Sequence, residues 1–286
     1  MYAADLHVHS AASDGTHQPA DVVRLAAAAG LQLVALTDHD TIGGVAEARA
    51  AGAELGVRIV AGCEFSVAAP WGELHLLGYF LPTDRPALTA FLEAQRGQRA
   101  ARMQEIVRRL RGVGVTLTLD EVGQAAAGGA LGRPHAARTL VARGVVADVG
   151  EAFDRFLRRG RPAYVPKVLP ALSQVTQLVS ALGGVTSAAH LKERATGATM
   201  RRLRRDGVDA VEVRHPSHPP LLEERIGALA DDLGLLRTGG TDWHGEAEVA
   251  AEGRAALGAI TVPEAWVDAL EQLHRKRGAE GGSHER

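Results

Sequence analysis

The chain has 286 residues, of which 46% are hydrophobic and 23% charged, and its formal net charge at pH 7 is −2. These values are ordinary for a globular protein and exclude the disordered and fibrous classes, while charged residues interrupt every apolar run well before the length of a membrane span. Cys63 is the only cysteine, which excludes an intrachain disulfide and a cluster of thiolate ligands. Because a strand pattern begins at Tyr2, with no basic and apolar leader before it, we expect a cytoplasmic protein.

The first predicted strand carries two histidines on one face. Alternate side chains of an extended segment share a face, so His7 and His9 point the same way while Leu6 and Val8 face the opposite, apolar side. Asp14 follows in a Ser-Asp-Gly turn that can bring its carboxylate back to the strand end. Imidazole and carboxylate ligands suit Mn²⁺, Fe²⁺ or Zn²⁺, and the absence of thiolates argues against a structural zinc site.

Strand and helix patterns then alternate along the chain. The apolar runs that predict buried strands are residues 2–9, 33–38, 58–65, 74–80, 185–190, 209–215 and 235–238. Amphipathic segments that predict helices separate several of them, at residues 19–29, 45–55, 199–205 and 219–233. Strand, helix, strand in this order is typical of a parallel α/β sheet, and seven strands predict a closed or nearly closed barrel.

The predicted strands end in side chains that can bind metal or transfer protons. These are His9, His39, Glu64, His190, His215, Asp242 and His244. The carboxyl ends of parallel strands meet at one rim of a barrel, which is where barrel enzymes place their active sites.

The run at residues 74–80 needs a different connection. It follows the strand before it after a link that is too short for a helical crossover, so we expect the two strands to pair antiparallel. This pairing would bring His75 to the same end of the sheet as Glu64.

Between residues 80 and 185 the pattern becomes helical. Helices are predicted at residues 86–110, 120–127, 133–142 and 151–157. We therefore divide the chain into a first barrel part (1–91), a small helical insertion domain (92–163), a second barrel part (164–275) and a polar tail (276–286).

The predicted insertion is basic. Residues 93–163 hold 13 Arg and 7 acidic residues, a formal charge of +6, while the rest of the chain carries −8. A basic lobe above an acidic, metal-loaded rim would attract phosphate-bearing substrates. The alternative is that these arginines only solvate helix surfaces.

The candidate metal ligands are too many for one ion. They are His7, His9, Asp14, His39, Glu64, His75, His190, Asp242 and His244. Since a first-row metal takes four to six ligands, we expect two or three divalent ions, with Glu64 and Asp242 as bridging carboxylates. Two metals about 3.5–4 Å apart activate a bridging hydroxide for in-line attack on a phosphate ester, and His190 and His215 are candidates to protonate the leaving group.

These motifs resemble the PHP (polymerase and histidinol phosphatase) family of phosphoesterases. The stretches that carry the resemblance are residues 5–10, 13–15, 37–40, 62–64 and 242–244, together with the single His75 and His190. The resemblance implies a distorted (β/α)₇ barrel and a trinuclear site, often with manganese, at the positions named above.

A helical insertion after the fourth strand resembles one branch of that family. Its members hydrolyse nucleoside 3′,5′-bisphosphates such as pAp and, in some cases, short RNA from the 5′ end. The resemblance implies that Arg133, Lys167 and His215 hold the 5′-phosphate while the metals attack the 3′-phosphate. His135 either contributes to this binding or caps the helix that follows it, and Asp38 or Asp40 is expected to accept a hydrogen bond from the His39 ring.

The sequence leaves three alternatives to the bisphosphate phosphatase. A 5′-to-3′ exoribonuclease on short 5′-phosphorylated RNA would use the same metals. A non-catalytic metal-binding interaction module would be expected to have lost ligands, and here every ligand position is filled. Hydrolysis of an amide or of a phosphorylated amino alcohol is disfavoured by Arg133 and Lys167. We expect a phosphorylated nucleotide substrate, no membrane association and no obligate protein partner.

Overall fold

The computed structural model describes residues 3–126, 129–245 and 255–281. In this part of the chain seven strands lie in one sheet and follow one another in chain order. They are β1 (Ala4–Val8), β2 (Leu33–Leu36), β3 (Arg58–Ala69), β4 (Gly72–Tyr79), β5 (Val185–Ala188), β6 (Ala210–Arg214) and β7 (Leu236–Gly239). Each strand matches one of the seven predicted runs. β3 extends beyond its run at the carboxyl end, β4 begins before its run, and β7 ends one residue after its run.

Strand β4 runs opposite to the other six. It pairs antiparallel with β3 and with β5, whereas all other neighbouring strands pair parallel. The antiparallel pairing predicted for residues 74–80 is therefore confirmed. Register places Ser66 of β3 opposite His75 of β4, so His75 lies at the carboxyl ends of the parallel strands.

The sheet curls into a nearly closed barrel. The segment after β7 returns to β1, where Asp242 N donates to His7 O at 2.8 Å and His9 N donates to Trp243 O at 2.9 Å. The family architecture predicted from the sequence, a distorted barrel of seven strands with helices around it, is confirmed.

Ten α-helices in the described residues connect and cover the strands. They are α1 (Pro19–Ala28), α2 (Val45–Leu55), α3 (Pro86–Gly112), α4 (Leu119–Ala125), α5 (Arg133–Ala142), α6 (Val149–Ala152), α7 (Leu172–Ala181), α8 (Gly197–Arg205), α9 (Pro220–Leu233) and α10 (Glu264–Gly281). A π-helical turn, Phe153–Leu157, continues α6, and a 3₁₀ turn, Lys192–Arg194, follows β5. Helix α10 continues into the segment predicted to be a polar tail, residues 276–286. Ala127, the last residue of one predicted helix, lies outside the described residues.

One detail of the alternation predicted for β1 is wrong. Leu6 packs with Leu33 and Ala35, whereas Val8 packs in a different cluster with Leu36 and residues of α1 and α2. A register shift between Asp5 and Val8 in the pairing of β1 with β2 separates these two side chains. His7 and His9 still lie on the same side, and both reach Glu64.

The helices between β4 and β5 have a hydrophobic cluster of their own. It contains Met103, Ile106 and Leu110 of α3, Leu140 of α5, and Phe156 of the π-helical turn. Helix α4 begins with a capping box in which the side chains of Thr118 and Glu121 bond to each other's backbone N–H. Among the described helices, none is both long enough and apolar enough to cross a membrane.

Candidate metal centre and active site

The site is built where β1 meets the segment that follows β7. Gly240 permits the close approach, because a Cβ atom there would lie only 2.5 Å from both the backbone N and the Cβ of His7. Asp5 ties the same two segments together, accepting bonds from Thr241 N at 3.0 Å and Thr241 Oγ1 at 2.6 Å. These contacts place Asp242 beside the histidines of β1.

The first group of candidate ligands joins β1, β3 and the segment after β7. His7 Nε2 and His9 Nε2 lie 3.2 Å and 3.1 Å from Glu64 Oε2. Both nitrogens also lie 3.3 Å from Asp242 Oδ1. Four donor atoms from three parts of the chain thus face one small space.

The second group surrounds Asp14. Its Oδ1 lies 3.4 Å from His244 Nε2 and 3.9 Å from His9 Nδ1, and its Oδ2 lies 3.8 Å from His39 Nε2. The Ser-Asp-Gly turn therefore brings the carboxylate back to the end of β1, where these four residues form a second candidate metal site.

The third group uses the other oxygen of Glu64. Its Oε1 lies 2.8 Å from His75 Nδ1 and 3.2 Å from His190 Nε2, while His39 Nδ1 lies 3.1 Å from Oε2. Because Glu64 gives one oxygen to the first group and one to the third, it has the geometry of a bridging carboxylate.

The donor atoms fit divalent ions. Buried atoms with no hydrogen-bond partner include Nε2 of His7, both ring nitrogens of His9, Nδ1 of His39 and Oε2 of Glu64. Carboxylate oxygens lie near these nitrogens, but the directions do not satisfy hydrogen-bond geometry. Buried polar atoms without a partner are rare and costly, so their convergence in three groups points to cations that would bind all of them.

The electrostatics of the cluster favour positive charge. Burial alone would raise the pKa of Glu64, but the imidazoles of His39 and His75 outweigh burial and hold that pKa well below its usual value. Burial lowers the pKa of His9, but Asp242 and Glu64 outweigh burial and raise it to about 10. The ionised carboxylates thus create a negative potential that a proton or a metal ion can satisfy.

Two ligand candidates adopt a backbone conformation that is unusual outside glycine. His190 has φ of 29° and Asp242 has φ of 51°. Non-glycine residues in this region cost conformational energy and cluster at functional sites, where surrounding contacts hold them. His190 N is held by Glu212 Oε2 at 2.7 Å, and Asp242 N by His7 O.

Glu212 and Glu73 are functional candidates that we did not predict from the sequence. Glu212 is fully buried in β6, and its Oε1 lies 3.0 Å from His7 Nδ1. Glu73 Oε1 lies 3.1 Å from His75 Nε2. Each carboxylate accepts from one ring nitrogen and leaves the other directed at the cluster. For Glu212, the sequence signal was a carboxylate between two valines of a predicted buried strand, β6.

The prediction that Asp38 or Asp40 accepts a bond from the His39 ring is wrong. Asp38 accepts from Ser10 N at 2.8 Å, Ser10 Oγ at 2.7 Å and Ser13 Oγ at 2.6 Å, which holds the turn that carries Asp14. Asp40 accepts from Ser66 N at 3.1 Å and from the Arg99 guanidinium. The two aspartates instead shape the loops on either side of the cluster.

His215 lies at the edge of the cluster. Its Nε2 is 3.5 Å from Asp242 Oδ2, and its Nδ1 is 2.7 Å from Ser217 Oγ. His218 packs against it at 5.4 Å between ring centroids, and the Nδ1 of His218 bonds Val213 O at 2.9 Å.

Of three residues predicted to bind substrate, Arg133 and His135 lie in α5 of the helical segment and Lys167 follows that segment. Lys167 Nζ bonds Ser66 Oγ at 3.0 Å and pairs with Glu73. The Arg133 guanidinium lies 5.5 Å from the ring centroid of Phe153. His135 Nδ1 accepts from Gly132 N at 3.0 Å, so this nitrogen caps the start of α5.

Comparison with known proteins gives a consistent result. A family model described as the PHP domain matches residues 5–117. A 5′-3′ exoribonuclease from Haemophilus influenzae is 34% identical over 245 residues, covering 84% of this chain and 89% of that protein. A 3′,5′-nucleoside bisphosphate phosphatase from Chromobacterium violaceum is 34% identical over 252 residues, covering 85% and 88%.

A solved structure shares the whole architecture. The protein comes from Bifidobacterium adolescentis and is described as a candidate metal-dependent phosphoesterase; it is 30% identical and superimposes with a TM-score of 0.86, covering 95% of this chain and 96% of that one. Its fold, the two relatives and the ligand clusters agree with one another. The chain belongs to the PHP family of metal-dependent phosphoesterases.

Proposed function

We propose that the chain removes the 3′-phosphate from nucleoside 3′,5′-bisphosphates such as pAp. The observation that carries the proposal is a group of basic side chains, including Lys167, next to the ligand cluster. Glu73 links this group to the cluster. Lys167 pairs with Glu73, which bonds the ring of His75. A substrate with two phosphates could place one at the metal ions and the other at the basic side chains. The relative from Chromobacterium violaceum bears the name of this activity.

The metal centre is proposed to hold two or three divalent ions, with Mn²⁺ first and Fe²⁺ or Zn²⁺ as alternatives. The three ligand groups around Asp14, Asp242 and Glu64 support this number, with His190 beside the third group. Bound there, such ions would neutralise phosphate charge and acidify water at neutral pH. Imidazole and carboxylate donors suit all three metals.

The protein's own residues would orient the reacting phosphate and move protons around it. His215 and His190 lie at the edge of the cluster and are the candidates to protonate the leaving 3′-oxygen of the ribose. Asp242 has one oxygen near His7 and His9 and the other near His215, so it connects the proposed metal site with the proposed acid.

The second phosphate would bind on the side of the helical segment. Arg102 and Arg133 form no ion pair with a carboxylate among the described residues, and Arg102 Nε donates only to Val165 O, at 2.8 Å. Burial, together with the nearby charges of Arg133 and Arg99, lowers the pKa of Arg102 to about 10. Such a cluster of like charges is stabilised by an anion, and guanidinium groups match phosphate oxygens in geometry. We propose Arg133, Lys167, His135 and His215 as the residues around that phosphate.

We also propose that the chain consists of two barrel parts and a helical insertion domain at residues 92–163. The separate hydrophobic cluster of helices α3 to α6 supports it. In this arrangement the barrel supplies the metal ligands and the insertion supplies most of the charge for the second phosphate.

The second candidate function is 5′-to-3′ exoribonuclease activity on short 5′-phosphorylated RNA. The relative from Haemophilus influenzae, which bears that name, favours it. The same metal ligands and the same cations would serve both reactions, so the distinction lies in the length of substrate that the site accepts.

The test compares pAp with a 5′-phosphorylated trinucleotide. Purified protein is loaded with Mn²⁺, and phosphate and nucleotide products are separated by ion-exchange chromatography. We expect AMP and phosphate from pAp at a higher kcat/KM than any release of mononucleotide from the trinucleotide. Turnover of the trinucleotide with no phosphate release from pAp would replace the first function with the second.

A variant pair tests the second phosphate site. Arg133→Ala should raise the KM for pAp about 10-fold with little change in kcat, because one charged hydrogen-bonding partner of the phosphate is lost. Arg158→Ala is the matched control, since Arg158 lies in the same helical segment with an exposed side chain paired to Asp154. Equal KM values in the two variants would remove Arg133 from the site.

A further inference from the structure

A cavity of about 230 Å³ adjoins the proposed metal centre on the side of β5. His75 and His190, two of the candidate ligands, form part of its wall. Ala189 N donates to His75 O at 3.0 Å, so the ends of β4 and β5 form its floor. The rest of a substrate whose phosphate is bound at the proposed metal centre would need space directly beside the candidate ligands. This cavity provides such space.

The remaining walls of the cavity suit a flat, apolar ring. Trp71, Leu74 and Leu191 line it, and Arg194 lies at its exposed edge. The Trp71 indole is partly buried against the core, and its Nε1 donates to Glu73 O at 3.1 Å. That hydrogen bond fixes the orientation of the ring. A fixed indole and a guanidinium plane are the groups on which proteins stack nucleobases.

The cavity is a poor place for the second phosphate. Glu73 contributes a carboxylate to its wall, which would repel a phosphate group. The cations Arg99, Arg102 and Lys167 line a different recess, on the β3 side of the β3–β4 hairpin. The two sides of the hairpin thus differ in character, with positive charge on one side and an aromatic wall on the other.

We infer that the cavity beside Trp71 binds the nucleobase of the substrate, and that Trp71 is its stacking platform. This inference rests on the proposed function, because it takes the substrate to be a nucleotide. It assigns selectivity for a nucleotide over a sugar bisphosphate to a cavity that is separate from both phosphate sites.

The experiment uses two substrates and two variants. The substrates are pAp and its abasic tetrahydrofuran analogue, which carries both phosphates but no base. Trp71→Ala should raise the KM for pAp about 10-fold, the effect of losing one base-stacking contact, and leave the KM for the abasic analogue unchanged. Trp71→Phe keeps an aromatic face and should restore the KM for pAp to within about threefold of wild type.

A binding measurement separates this inference from the proposed function. AMP should quench the tryptophan fluorescence of the wild-type protein more than that of Trp71→Phe, in which Trp243 and Trp266 remain. Absence of phosphate release from pAp by the wild-type protein would overturn the proposed function and leave this measurement valid. Equal quenching in both proteins, or an equal KM increase for both substrates in Trp71→Ala, would overturn the nucleobase assignment.

Discussion

At the scale of single residues, two carboxylates orient the imidazoles of candidate ligands by bonding the ring nitrogen that points away from the cluster. Glu212 holds His7 from behind and also accepts from the backbone N of His190. Glu73 holds His75 and pairs with Lys167. A carboxylate in this position selects the ring tautomer and strengthens the imidazole as a ligand. The two glutamates therefore extend the proposed metal centre into the sheet and toward the phosphate site.

Glu212→Gln tests the first of these positions. The amide can still accept from His7, but without charge, so we expect kcat/KM for pAp to fall roughly 10- to 100-fold, the usual effect of changing such a partner. Steady-state kinetics and the Tm of the variant provide the measurement. Glu224→Gln, on the exposed surface of α9, is the control and should behave as wild type. A Glu212 variant with wild-type kinetics and Mn²⁺ affinity would show that His7 needs no such partner.

Glu73→Gln tests the link between the candidate metal ligand His75 and the proposed phosphate site. We expect weaker Mn²⁺ binding by about 10-fold, because the partner of His75 loses its charge. Lys167→Met should instead leave Mn²⁺ affinity unchanged and raise the KM for pAp. Calorimetric titration of metal-free protein and kinetics on pAp distinguish the two variants, and identical profiles for both would contradict the separate roles.

At the scale of elements, the ends of the barrel have different tasks. The candidate ligands lie at the carboxyl ends of the parallel strands, and the amino ends are closed by α10. Arg277 of this helix makes two bonds to Asp209, at 2.7 Å and 2.9 Å, and Asp209 also accepts from Thr186 N. This largely buried pair fixes α10 beneath β5 and β6.

Arg277→Met should therefore affect stability and leave the metal centre unchanged. Removal of one partner from a largely buried ion pair is expected to lower the free energy of unfolding by about 3 kcal/mol. Arg275→Met, two positions earlier in α10 with a side chain 63% exposed, is the control and should lose less than about 1 kcal/mol. Urea unfolding measures both, and equal losses would show that the pair with Asp209 is unimportant.

The order and type of the elements could be predicted from the sequence because each strand is a short apolar run followed by polar chemistry. The antiparallel pairing of β4 was predictable from the length of its link to β3. The role of Gly240 was not, because the glycine is required by His7, more than 230 positions away in the chain. The register shift in β1 and the partners of Asp38 likewise depend on neighbouring segments that local patterns do not describe.

For the candidate site, the grouping of histidines and carboxylates at the strand ends was predictable from the sequence, and the contacts of Glu212 and Glu73 were not. A histidine or aspartate after a strand is a local signal. The proposed role of Glu212 depends on the contact of β6 with β1, and that of Trp71 on the contact of the β3–β4 hairpin with the segment after β5.

At the scale of the whole molecule, charge is divided between the two regions of the chain. The helical segment from residue 93 to 163 carries a formal charge of +6, against −8 for the rest. A positive field beside the proposed active site should draw anionic substrates toward it, and salt should weaken this attraction.

Ionic strength provides the test of this field. Raising NaCl from about 0.05 M to 0.5 M should increase the KM for pAp more than the KM for 3′-AMP, since pAp carries a second phosphate that meets the cations. Arg133→Ala should reduce the difference between the two substrates. An equal increase in the KM for both substrates would show that the basic segment does not interact with the second phosphate.

The central claim is that the three histidine and carboxylate groups around Asp14, Asp242 and Glu64 form a metal centre on which phosphate release depends. The most direct measurement is stepwise addition of Mn²⁺ to chelator-treated protein, with bound metal determined by elemental analysis and phosphate release from pAp followed in the same samples. We predict two or three bound ions per chain, with activity absent in the metal-free protein and rising with occupancy, and neither tight binding nor activity in Glu64→Ala. Full activity in the metal-free protein, or wild-type metal content in Glu64→Ala, would contradict the account.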